Sequence, residues 1–274
     1  MNRVDGKVCV VTGGTQGLGA AVARALAEAG AEAVVTAGRN AERGRAIAEG
    51  IGASTGVPVR FVQADLARVE EARAVVQAAD GHFGRVDVLV NAAGLTDRGD
   101  ILSTTPDLFD RLFAVNVRAP FFLMQEAIRV MLRVGSEGSI VNVGSMASQG
   151  GQPFISPYCA SKGALATLTR NTAFAVLRNR IRVNQLDVGW MSTDGEDRVQ
   201  REQMGEPEGW AARAGAALPF GRLVDPHEAA RAAVFLASDD SGLMTGAVIP
   251  LDQSVRGAWA SVAPTPEGPL TLAS

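Results

Sequence analysis

The feature that most restricts the fold is a glycine turn set between an apolar run and a helical run near the amino terminus. Residues 7–12 form a short, valine-rich apolar run, as expected of a β-strand that is covered on both faces. A helical pattern covers residues 20–29. Between them lies a turn that contains Gly13, Thr15, Gln16, Gly17, Leu18 and Gly19. This order points free backbone N–H groups and the positive end of a helix dipole at a phosphate. Because glycines lack the Cβ atoms that hinder close approach of a pyrophosphate, nucleotide binding is favoured over a plain turn.

Further apolar runs alternate with helical patterns along the rest of the chain. Strands are predicted over 33–37, 59–62, 86–90, 139–145, 181–186 and 247–251, and helices over 41–51, from about 69, and over 106–132, 157–177 and 226–237. No internal repeat and no glycine- or proline-rich linker interrupts them. The pattern predicts α/β architecture: one doubly wound (Rossmann) domain, with a parallel seven-stranded sheet and helices on both faces. Ligands of such sheets bind beyond the carboxyl ends of the strands.

Arg39 follows the second predicted strand, where the adenosine ribose of a dinucleotide would lie. An acidic residue there would accept hydrogen bonds from both ribose hydroxyl groups, whereas an arginine can bind a 2′-phosphate. NADP(H) is therefore predicted over NAD(H), although the glycine turn carries no second basic residue. Asp65 and Leu66 follow the third strand, and Asp65 either binds the adenine amino group or caps the helix that begins near Val69.

The next two strands end in small or polar residues. Asn91, Ala92 and Gly94 follow the fourth strand and leave room for a ligand, and Ser145 ends the fifth. Asn116 lies in the apolar middle of the helix predicted over 106–132. Asparagine is a poor residue for a helix interior, so a buried polar role or a local bend is expected.

Tyr158 is the only tyrosine, and Lys162 follows it at the spacing of one helical turn. A free phenol has a pKa near 10, and a neighbouring ammonium group favours the phenolate. With the Ser145 hydroxyl group holding a substrate oxygen, this arrangement would support general acid–base catalysis at a carbon–oxygen centre. The alternative is a helix start with a half-buried tyrosine and a solvated lysine.

Charge and composition exclude several classes of protein. A net charge of −3 over 274 residues gives no basic footprint for nucleic acid or for an anionic membrane. The absence of any apolar run near eighteen residues and the polar start predict a cytoplasmic protein. Cys9 and Cys159 are predicted to be reduced thiols, and His82 and His227 have no second ligand at metal-binding spacing.

The pattern changes over residues 190–222 to mixed charge with glycines, which predicts a lid of short helices over the site or a merely irregular insertion. The catalytic domain is assigned to residues 1–253 and a tail to 254–274, which is predicted to be extended or disordered, with packing across a subunit boundary as one possibility. Gln149, Gln152, Trp190 and the region of Trp210 are predicted at the substrate mouth. The two glutamines favour a hydroxyl-rich substrate, and the alternative is that they are loop residues facing water.

These motifs resemble the short-chain dehydrogenase/reductase superfamily, in its compact form, over nearly the whole chain. Residues 12–19 match its TGxxxGxG turn and residues 91–94 its NAAG motif, and Tyr158-x-x-x-Lys162 matches its YxxxK motif. Asn116 and Ser145 fill the remaining catalytic places.

The resemblance implies an NAD(P)-dependent oxidoreductase that interconverts a secondary alcohol and a ketone by hydride transfer. Tyr158 would be the acid/base and Ser145 would orient the reacting oxygen. Lys162 would lower the tyrosine pKa and hold the nicotinamide ribose, and Asn116 would anchor a water relay to Lys162. Met191 and Thr193 would contact the nicotinamide. A small-molecule substrate, no metal, and a homo-oligomer (tetramer or dimer) are also implied, with a sugar or polyol as the favoured substrate.

Three other functions are weighed against this one. A non-catalytic nucleotide-binding regulator of the same fold would be expected to lack the serine, tyrosine or lysine. Epimerases or dehydratases of the extended subgroup resemble the chain in YxxxK but have a GxxGxxG turn and a larger carboxyl-terminal domain. A 3-ketoacyl-type reductase stays open, and it predicts a basic patch at the mouth. The chain departs from the family at Val188-Gly189 and at Asp252-Gln253-Ser254, which bears on the substrate mouth and subunit contacts.

Overall fold

The computed structural model describes residues 3–255, which contain one sheet of seven parallel strands. The strands are β1 (Val8–Thr12), β2 (Ala33–Gly38), β3 (Val59–Gln63), β4 (Val88–Asn91), β5 (Ser139–Ser145), β6 (Arg182–Val188) and β7 (Val248–Leu251). Their order across the sheet is β3-β2-β1-β4-β5-β6-β7. The order reverses direction between β1 and β4, which is where a doubly wound sheet binds its ligand. The predicted fold class is confirmed.

Nine α-helices lie within the described residues. They are α1 (Gly17–Glu28), α2 (Ala41–Thr55), α3 (Val69–Phe83), α4 (Pro106–Phe113), α5 (Ala119–Val134), α6 (Ser156–Ala175), α7 (Asp194–Glu202), α8 (Trp210–Ala216) and α9 (Pro226–Ala237).

Two apolar layers cover the two faces of the sheet. On one face Val22 and Leu26 of α1 pack with Leu236 of α9, and on the other Leu123 and Met131 of α5 pack with residues of α3 and α6. All residues of β1 are buried, as are all of β4. Strands covered on both faces can be continuously apolar, which explains the valine-rich runs.

The helix predicted over 106–132 is not continuous. Thr105 caps α4 by accepting a hydrogen bond from the N–H of Leu108, and Pro106 occupies its first turn. A π-helical turn, Ala114–Arg118, then separates α4 from α5 and contains the buried Asn116. The stretch is helical as predicted but is not one regular α-helix, and the buried polar role predicted for Asn116 is confirmed.

The predicted lid segment contains two short helices, α7 and α8, as expected. Thr193 caps α7, and Asp225 and Glu228 form a reciprocal capping box at the start of α9. Residues 256–274, most of the predicted tail, lie outside the described residues, so the division at residue 253 stays a prediction.

Several predictions concern isolated side chains. Cys9 and Cys159 are free thiols. His82 lies in the last turn of α3 and His227 in the first turn of α9. Among residues 3–255, no three His, Cys, Asp or Glu side chains come together as metal ligands would. Within the same residues, no helix has both the length and the apolar content needed to cross a bilayer.

Candidate active site

The glycine turn between β1 and α1 is tightly packed against the protein itself. Gly13 and Gly17 have φ angles of +73° and +52°, in the region that favours glycine. A Cβ atom on Gly13 would lie 2.9 Å from the backbone of Ala93, and one on Gly19 would lie 2.2 Å from the Gly13 carbonyl oxygen. Gly13 and Gly19 are thus required by close contacts within the fold, and their predicted role in admitting a pyrophosphate stays a prediction.

The amino terminus of α1 nevertheless fits a bound pyrophosphate. Gln16 precedes the helix without capping it through its side chain, and the first turn contains no acidic residue. By contrast, Thr193 and Asp225 cap α7 and α9. Uncapped N–H groups and the positive helix dipole attract anions. Backbone groups of the glycine turn could therefore hold the phosphates of a dinucleotide.

Two other residues of the turn are also placed by packing. Thr15 lies against the end of β2, where a Cβ on Gly38 would come within 2.5 Å of its Cγ2. The Leu18 side chain is buried in the core on the α1 face. Its predicted cofactor contact therefore concerns its backbone.

Two arginines lie at the end of β2, where only one was predicted. Arg39 is exposed, and its carbonyl oxygen accepts a hydrogen bond from Gln63 Nε2 at 3.2 Å. Arg43, in the first turn of α2, donates from Nη1 to Oε1 of Gln16 at 2.7 Å. Arg43 was not predicted, because a second basic residue was expected only within the glycine turn. The spacing of four residues after Arg39, across a helix start, is the signal that could have found it.

Asp65 closes a turn instead of capping α3. Its Oδ1 accepts a hydrogen bond from the N–H of Ala67 at 3.1 Å. Arg68 is the residue that precedes α3, and it makes no side-chain cap. The capping alternative is therefore wrong, and the adenine contact stays a prediction. Leu66 is 7% exposed.

The segment after β4 is fastened to β1 and β5. Thr12 Oγ1 accepts hydrogen bonds from the N–H groups of Ala92 and Ala93 at 3.1 and 3.2 Å. Asn91 Nδ2 donates to Asn142 Oδ1 at 2.8 Å, so this side chain points into the sheet. Any cofactor contact of Asn91 would then come from its main chain. Gly94 is exposed beside the catalytic residues.

Tyr158 and Ser145 meet at the carboxyl end of β5. The two hydroxyl groups are hydrogen-bonded to each other, and Ser145 Oγ also accepts from the N–H of Ala147 at 3.1 Å. Burial raises the pKa of Tyr158 to about 12, and the hydrogen bond to Ser145 opposes this rise. The phenol is therefore protonated at neutral pH, which is the form that can donate a proton.

Lys162 lies one turn after Tyr158 on α6 and is 4% exposed. Its Nζ donates to the Val143 carbonyl oxygen at 2.9 Å and lies 5.7 Å from the centre of the Tyr158 ring. Burial lowers the pKa of Lys162 to about 8. The Tyr158 pKa is raised and not lowered as expected, because burial of the phenol outweighs any effect of the Lys162 ammonium group. The alternative of a solvated lysine is also wrong.

Asn116, which lies in the π-helical turn, holds the loop after β4 by hydrogen bonds. Its Oδ1 accepts from the N–H of Leu95 at 2.9 Å, and its Nδ2 donates to the Leu95 carbonyl oxygen and to Ser161 Oγ at 3.0 and 3.1 Å. Both amide hydrogens are thus used within the protein. A Cβ on Gly94 would be 3.5 Å from both Asn116 Oδ1 and Lys162 Nζ, so the two side chains approach the same point. The water relay stays a prediction.

Side chains from residues 190–222 and from the loop after β4 form a cluster whose charges act on Tyr158. This lid cluster consists of Arg98, Trp190, Glu196, Gln200 and Trp210. Glu196 Oε1 accepts from Arg98 Nη2, Trp190 Nε1 and Gln200 Nε2 at 2.8, 2.9 and 2.7 Å. The Trp190 and Trp210 rings stack with centres 5.6 Å apart. The Glu196 carboxylate raises the Tyr158 pKa and the Arg98 guanidinium lowers it, so both charges act on the phenol.

The remaining predicted residues lie either at the start of the lid segment or on the exposed surface. Met191 is 8% exposed and packs in the core, and Thr193 lies against the glycine turn, 3.3 Å from where a Cβ on Gly17 would be. Gln149 and Gln152 are exposed. Arg98 and Glu196 were missed by sequence reasoning, because 98 residues separate two groups that pair only in the folded chain.

A cavity lies at the opposite end of the sheet. It measures about 700 Å³ and opens at the amino ends of the strands, opposite Tyr158. Its charged residues pair with one another, including Lys7 with Asp239 and Arg180 with Glu137. The groups that can perform chemistry therefore gather at the other end of the sheet.

Comparisons with known proteins agree with this geometry. The family model described as enoyl-(acyl carrier protein) reductase matches residues 13–255. The chain is 34% identical over 263 residues to a sorbitol dehydrogenase of Cereibacter sphaeroides, covering 94% of this chain and 100% of that one. A solved structure titled as a short chain dehydrogenase/reductase family protein is 36% identical, with a TM-score of 0.78 and coverage of 92% of this chain and 97% of the other.

A second solved structure, L-sorbose reductase from Gluconobacter frateurii complexed with NADPH and L-sorbose, is 26% identical. Its TM-score is 0.88, and the match covers 94% of this chain and 100% of that one. The resemblance first seen in the motifs therefore extends to the whole fold. This chain belongs to the short-chain dehydrogenase/reductase superfamily and, like its relatives, is an oxidoreductase acting on alcohol or ketone groups.

Proposed function

We propose that the protein is an NADP(H)-dependent oxidoreductase that interconverts a secondary alcohol and a ketone on a hydroxyl-rich substrate such as a polyol or sugar. The observation that carries this proposal is the hydrogen-bonded pair of Tyr158 and Ser145, set above the buried Lys162 at the carboxyl end of β5. The amino terminus of α1 lies at the same end of the sheet and offers the phosphate site.

Each catalytic side chain has a distinct part in this reaction. In reduction the Tyr158 hydroxyl group donates its proton to the carbonyl oxygen, and in oxidation the phenolate accepts it. Ser145 orients that oxygen. The Lys162 ammonium group stabilises the phenolate by its charge. A bound nicotinamide dinucleotide supplies or accepts the hydride, and the glycine turn, Gln16, Thr193 and the residues after β4 would hold it.

Arg39 and Arg43 support the preference for NADP(H). Both are exposed and both lie at the end of β2, where a 2′-phosphate would sit. Hydrogen bonds between a guanidinium group and a phosphate are about twice as strong as neutral ones. A neighbour in the family binds NADPH, which agrees with this assignment.

A thermal-shift comparison of NADP(H) with NAD(H) tests the cofactor. A ligand that binds only the folded state raises its apparent stability with the logarithm of saturation. NADP(H) should stabilise the protein more than NAD(H), and Arg43→Ala should reduce that difference, at a cost of roughly 10-fold in NADP(H) affinity. Arg45→Ala, an exposed arginine on the same helix, is the matched control. Stabilisation by NAD(H) alone would contradict the assignment.

The lid cluster supports a hydroxyl-rich substrate. Three donors converge on Glu196 Oε1, and no hydrogen bond to Glu196 Oε2 exists within residues 3–255. A carboxylate oxygen held in this way can accept a charge-assisted hydrogen bond from a substrate hydroxyl group. Trp190 is 43% exposed and offers an apolar face beside it. The relatives named sorbitol dehydrogenase and L-sorbose reductase act on molecules of this kind.

A 3-ketoacyl-type reductase is less well supported. Its carrier or coenzyme A would need a basic patch at the mouth, but Arg98 is neutralised by Glu196 at 2.8 Å. The first turn of α7 carries three acidic residues. No other basic group of the described lid joins the lid cluster.

Substrate turnover distinguishes these functions. We expect cofactor-dependent turnover of sorbitol or L-sorbose, with kcat/KM at least about 10-fold above that for 2-butanol or 2-butanone. Turnover confined to apolar ketones would contradict the polyol assignment, and turnover confined to acyl thioesters would favour the ketoacyl alternative. Tyr158→Phe serves as the inactive control in every assay.

Assembly and location remain predictions. We propose a homo-dimer or homo-tetramer on the basis of family membership, and a cytoplasmic location on the basis of the sequence. Light scattering of the purified protein tests the first, and a monomeric mass would contradict it. Fractionation of the source cells tests the second.

A further inference from the structure

A row of buried polar side chains runs between the sheet and α6, below the catalytic residues. This α6 layer consists of Asn91, Asn142, Thr169, Gln185 and Asp187, and all five are at most 2% exposed. Hydrogen bonds link its members in sequence. Asn142 Nδ2 bonds to Thr169 Oγ1 at 2.9 Å, and Thr169 Oγ1 bonds to Gln185 Oε1 at 3.2 Å. The layer ends at Asp187, whose carboxylate has had no role in the reaction so far.

Two hydrogen bonds and a glycine on the neighbouring strand accommodate the Asp187 carboxylate. Gln185 Nε2 donates to Asp187 Oδ1 at 2.6 Å, and Ser148 Oγ donates to Oδ2 at 2.8 Å. Gly144 is the partner of Asp187 in the β5–β6 register. A Cβ on Gly144 would lie only 2.0 Å from Asp187 Oδ1. A side chain larger than that of glycine at position 144 would therefore collide with the Asp187 carboxylate.

Asp187 lies near the segment that holds the catalytic lysine. Lys162 Nζ donates to the carbonyl oxygen of Val143, the residue next to Gly144. Ser148, which holds Asp187, places its carbonyl oxygen 3.4 Å from where a Cβ on Gly163 would be. The carboxylate and the ammonium group are thus enclosed by the same short segments of β5, α6 and the turn after β5.

A buried ammonium group and a nearby buried carboxylate each favour the charged form of the other. Burial disfavours an ammonium group, and a nearby carboxylate offsets that cost. The pKa of Lys162 follows both influences: burial lowers it to about 8, and the Asp187 charge opposes the fall.

Few other charges act on Lys162. Tyr158 and Cys159 are the titratable groups nearby on its own helix, and β5 and the turn at residues 146–149 contribute none. The charged residues of α4 and of the π-helical turn are exposed, namely Asp107, Asp110, Arg111 and Arg118. Arg182 of β6 lies at the opposite end of the strand, and Arg98 and Glu196 of the lid cluster neutralise each other.

We propose that Asp187 is a positioning residue whose buried negative charge keeps the Lys162 side chain in its ammonium form. The inference rests on the proposed function, because Lys162 matters through its charge beside the Tyr158 phenol. Asp187 touches neither the phenol nor the substrate oxygen. It acts on the reaction only through Lys162.

The composition of the chain allows a direct test. Lys7 and Lys162 are the only lysines in the sequence, so protein labelled with [¹³C,¹⁵N]lysine gives two side-chain signals. In the intact protein the Lys162 signal should titrate near pH 8. In Asp187→Asn its midpoint should fall by at least about one pH unit, because a neutral amide cannot stabilise the ammonium group. Lys7, beside Asp239 at the far end of the sheet, should keep its midpoint in both proteins.

The variant is suited to retaining the fold. An asparagine oxygen can accept from Gln185 Nε2, and its amide can donate to Ser148 Oγ, so both side chains that hold Asp187 can keep a hydrogen bond to residue 187. Asp187→Ser removes the same charge with a smaller side chain and provides a second measurement. Ser148→Ala removes a hydrogen bond but keeps the carboxylate, and it should leave the Lys162 midpoint within about 0.3 pH units of the parent value.

Kinetics provide a second readout. The alkaline limb of the kcat/KM profile should move to lower pH in Asp187→Asn, in step with the Lys162 midpoint, and should stay in place in Ser148→Ala. A Lys162 midpoint that does not fall in either Asp187 variant would overturn the proposal. Because the lysine titration needs no substrate, an enzyme without turnover on any alcohol or ketone would contradict the proposed function and leave this test intact.

Discussion

The α6 layer and the lid cluster near Tyr158 contain similar chemical groups but differ in their exposure to water. Members of the α6 layer are at most 2% exposed and bond almost wholly to one another. The lid cluster combines a partly buried ion pair with Trp190, which is 43% exposed. Buried polar groups tolerate little change because each lost partner leaves an unsatisfied group, whereas a partly exposed group can bond to water.

The α6 layer and the lid cluster are therefore expected to affect different properties of the protein. The α6 layer belongs to the central sheet, so it sets the charge beside Tyr158 whatever the substrate. The lid cluster joins the loop after β4 to α7, and we propose that it meets the part of the substrate that does not react. Changes in the α6 layer should alter stability and proton transfer, and changes in the lid cluster should alter substrate choice.

The largest expected effect comes from the group between the two regions. Tyr158→Phe removes the proposed acid/base group at the reacting oxygen, so kcat should fall by about 10³-fold or more. Thermal shifts with NADP(H) should stay close to those of the parent, because the ring and its packing are kept. Substantial turnover by this variant would show that another group transfers the proton.

A substitution in β5 should mainly affect stability. In Gly144→Ala the new Cβ would lie 2.0 Å from Asp187 Oδ1 and 2.4 Å from Gln185 Nε2. Overpacking of this kind costs about 1–3 kcal/mol in the free energy of unfolding, measurable by urea denaturation.

Gly163→Ala on α6 is the matched control for that substitution. Its Cβ would meet nothing closer than 3.4 Å, and alanine is favoured over glycine in a helix by about 1 kcal/mol. We expect it to be as stable as the parent or more so. Equal stability of the Gly144→Ala variant and the parent would mean that the α6 layer is loosely packed, and the contrast with the lid cluster would disappear.

The smallest effect should arise in the lid cluster. Glu196→Gln removes the charge offered to a substrate hydroxyl group, so kcat/KM for a polyol should fall about 10-fold relative to that for 2-butanol. The free energy of unfolding should change little. Glu202→Gln removes an exposed carboxylate from the same helix and should leave the ratio unchanged. An equal loss for both substrates would assign Glu196 to lid closure instead of substrate choice.

Local patterns in the sequence predict most of the fold. The predicted strand over 139–145 coincides with β5, and the others differ from the observed strands by one or two residues at their ends. Valine-rich runs identify buried parallel strands directly, because both faces are covered. The π-helical turn could be anticipated only through Asn116, since the residues around it suit a regular helix.

The site was predictable only where its residues follow strand ends or share a helical turn. Ser145, Tyr158 and Lys162 meet this condition. Arg43, Arg98 and Glu196 do not, because their partners are set by tertiary packing. The ionisation of Tyr158 could not be predicted either, because spacing places an ammonium group nearby but says nothing of how deeply the phenol is buried.

The solitary tyrosine has a practical consequence for anyone who studies this enzyme. Phenolate absorbs ultraviolet light at longer wavelength than phenol, and here every such absorbance change on raising the pH belongs to Tyr158. The ionisation of the acid/base group can therefore be followed optically, in unlabelled protein, while ligands or variants are compared.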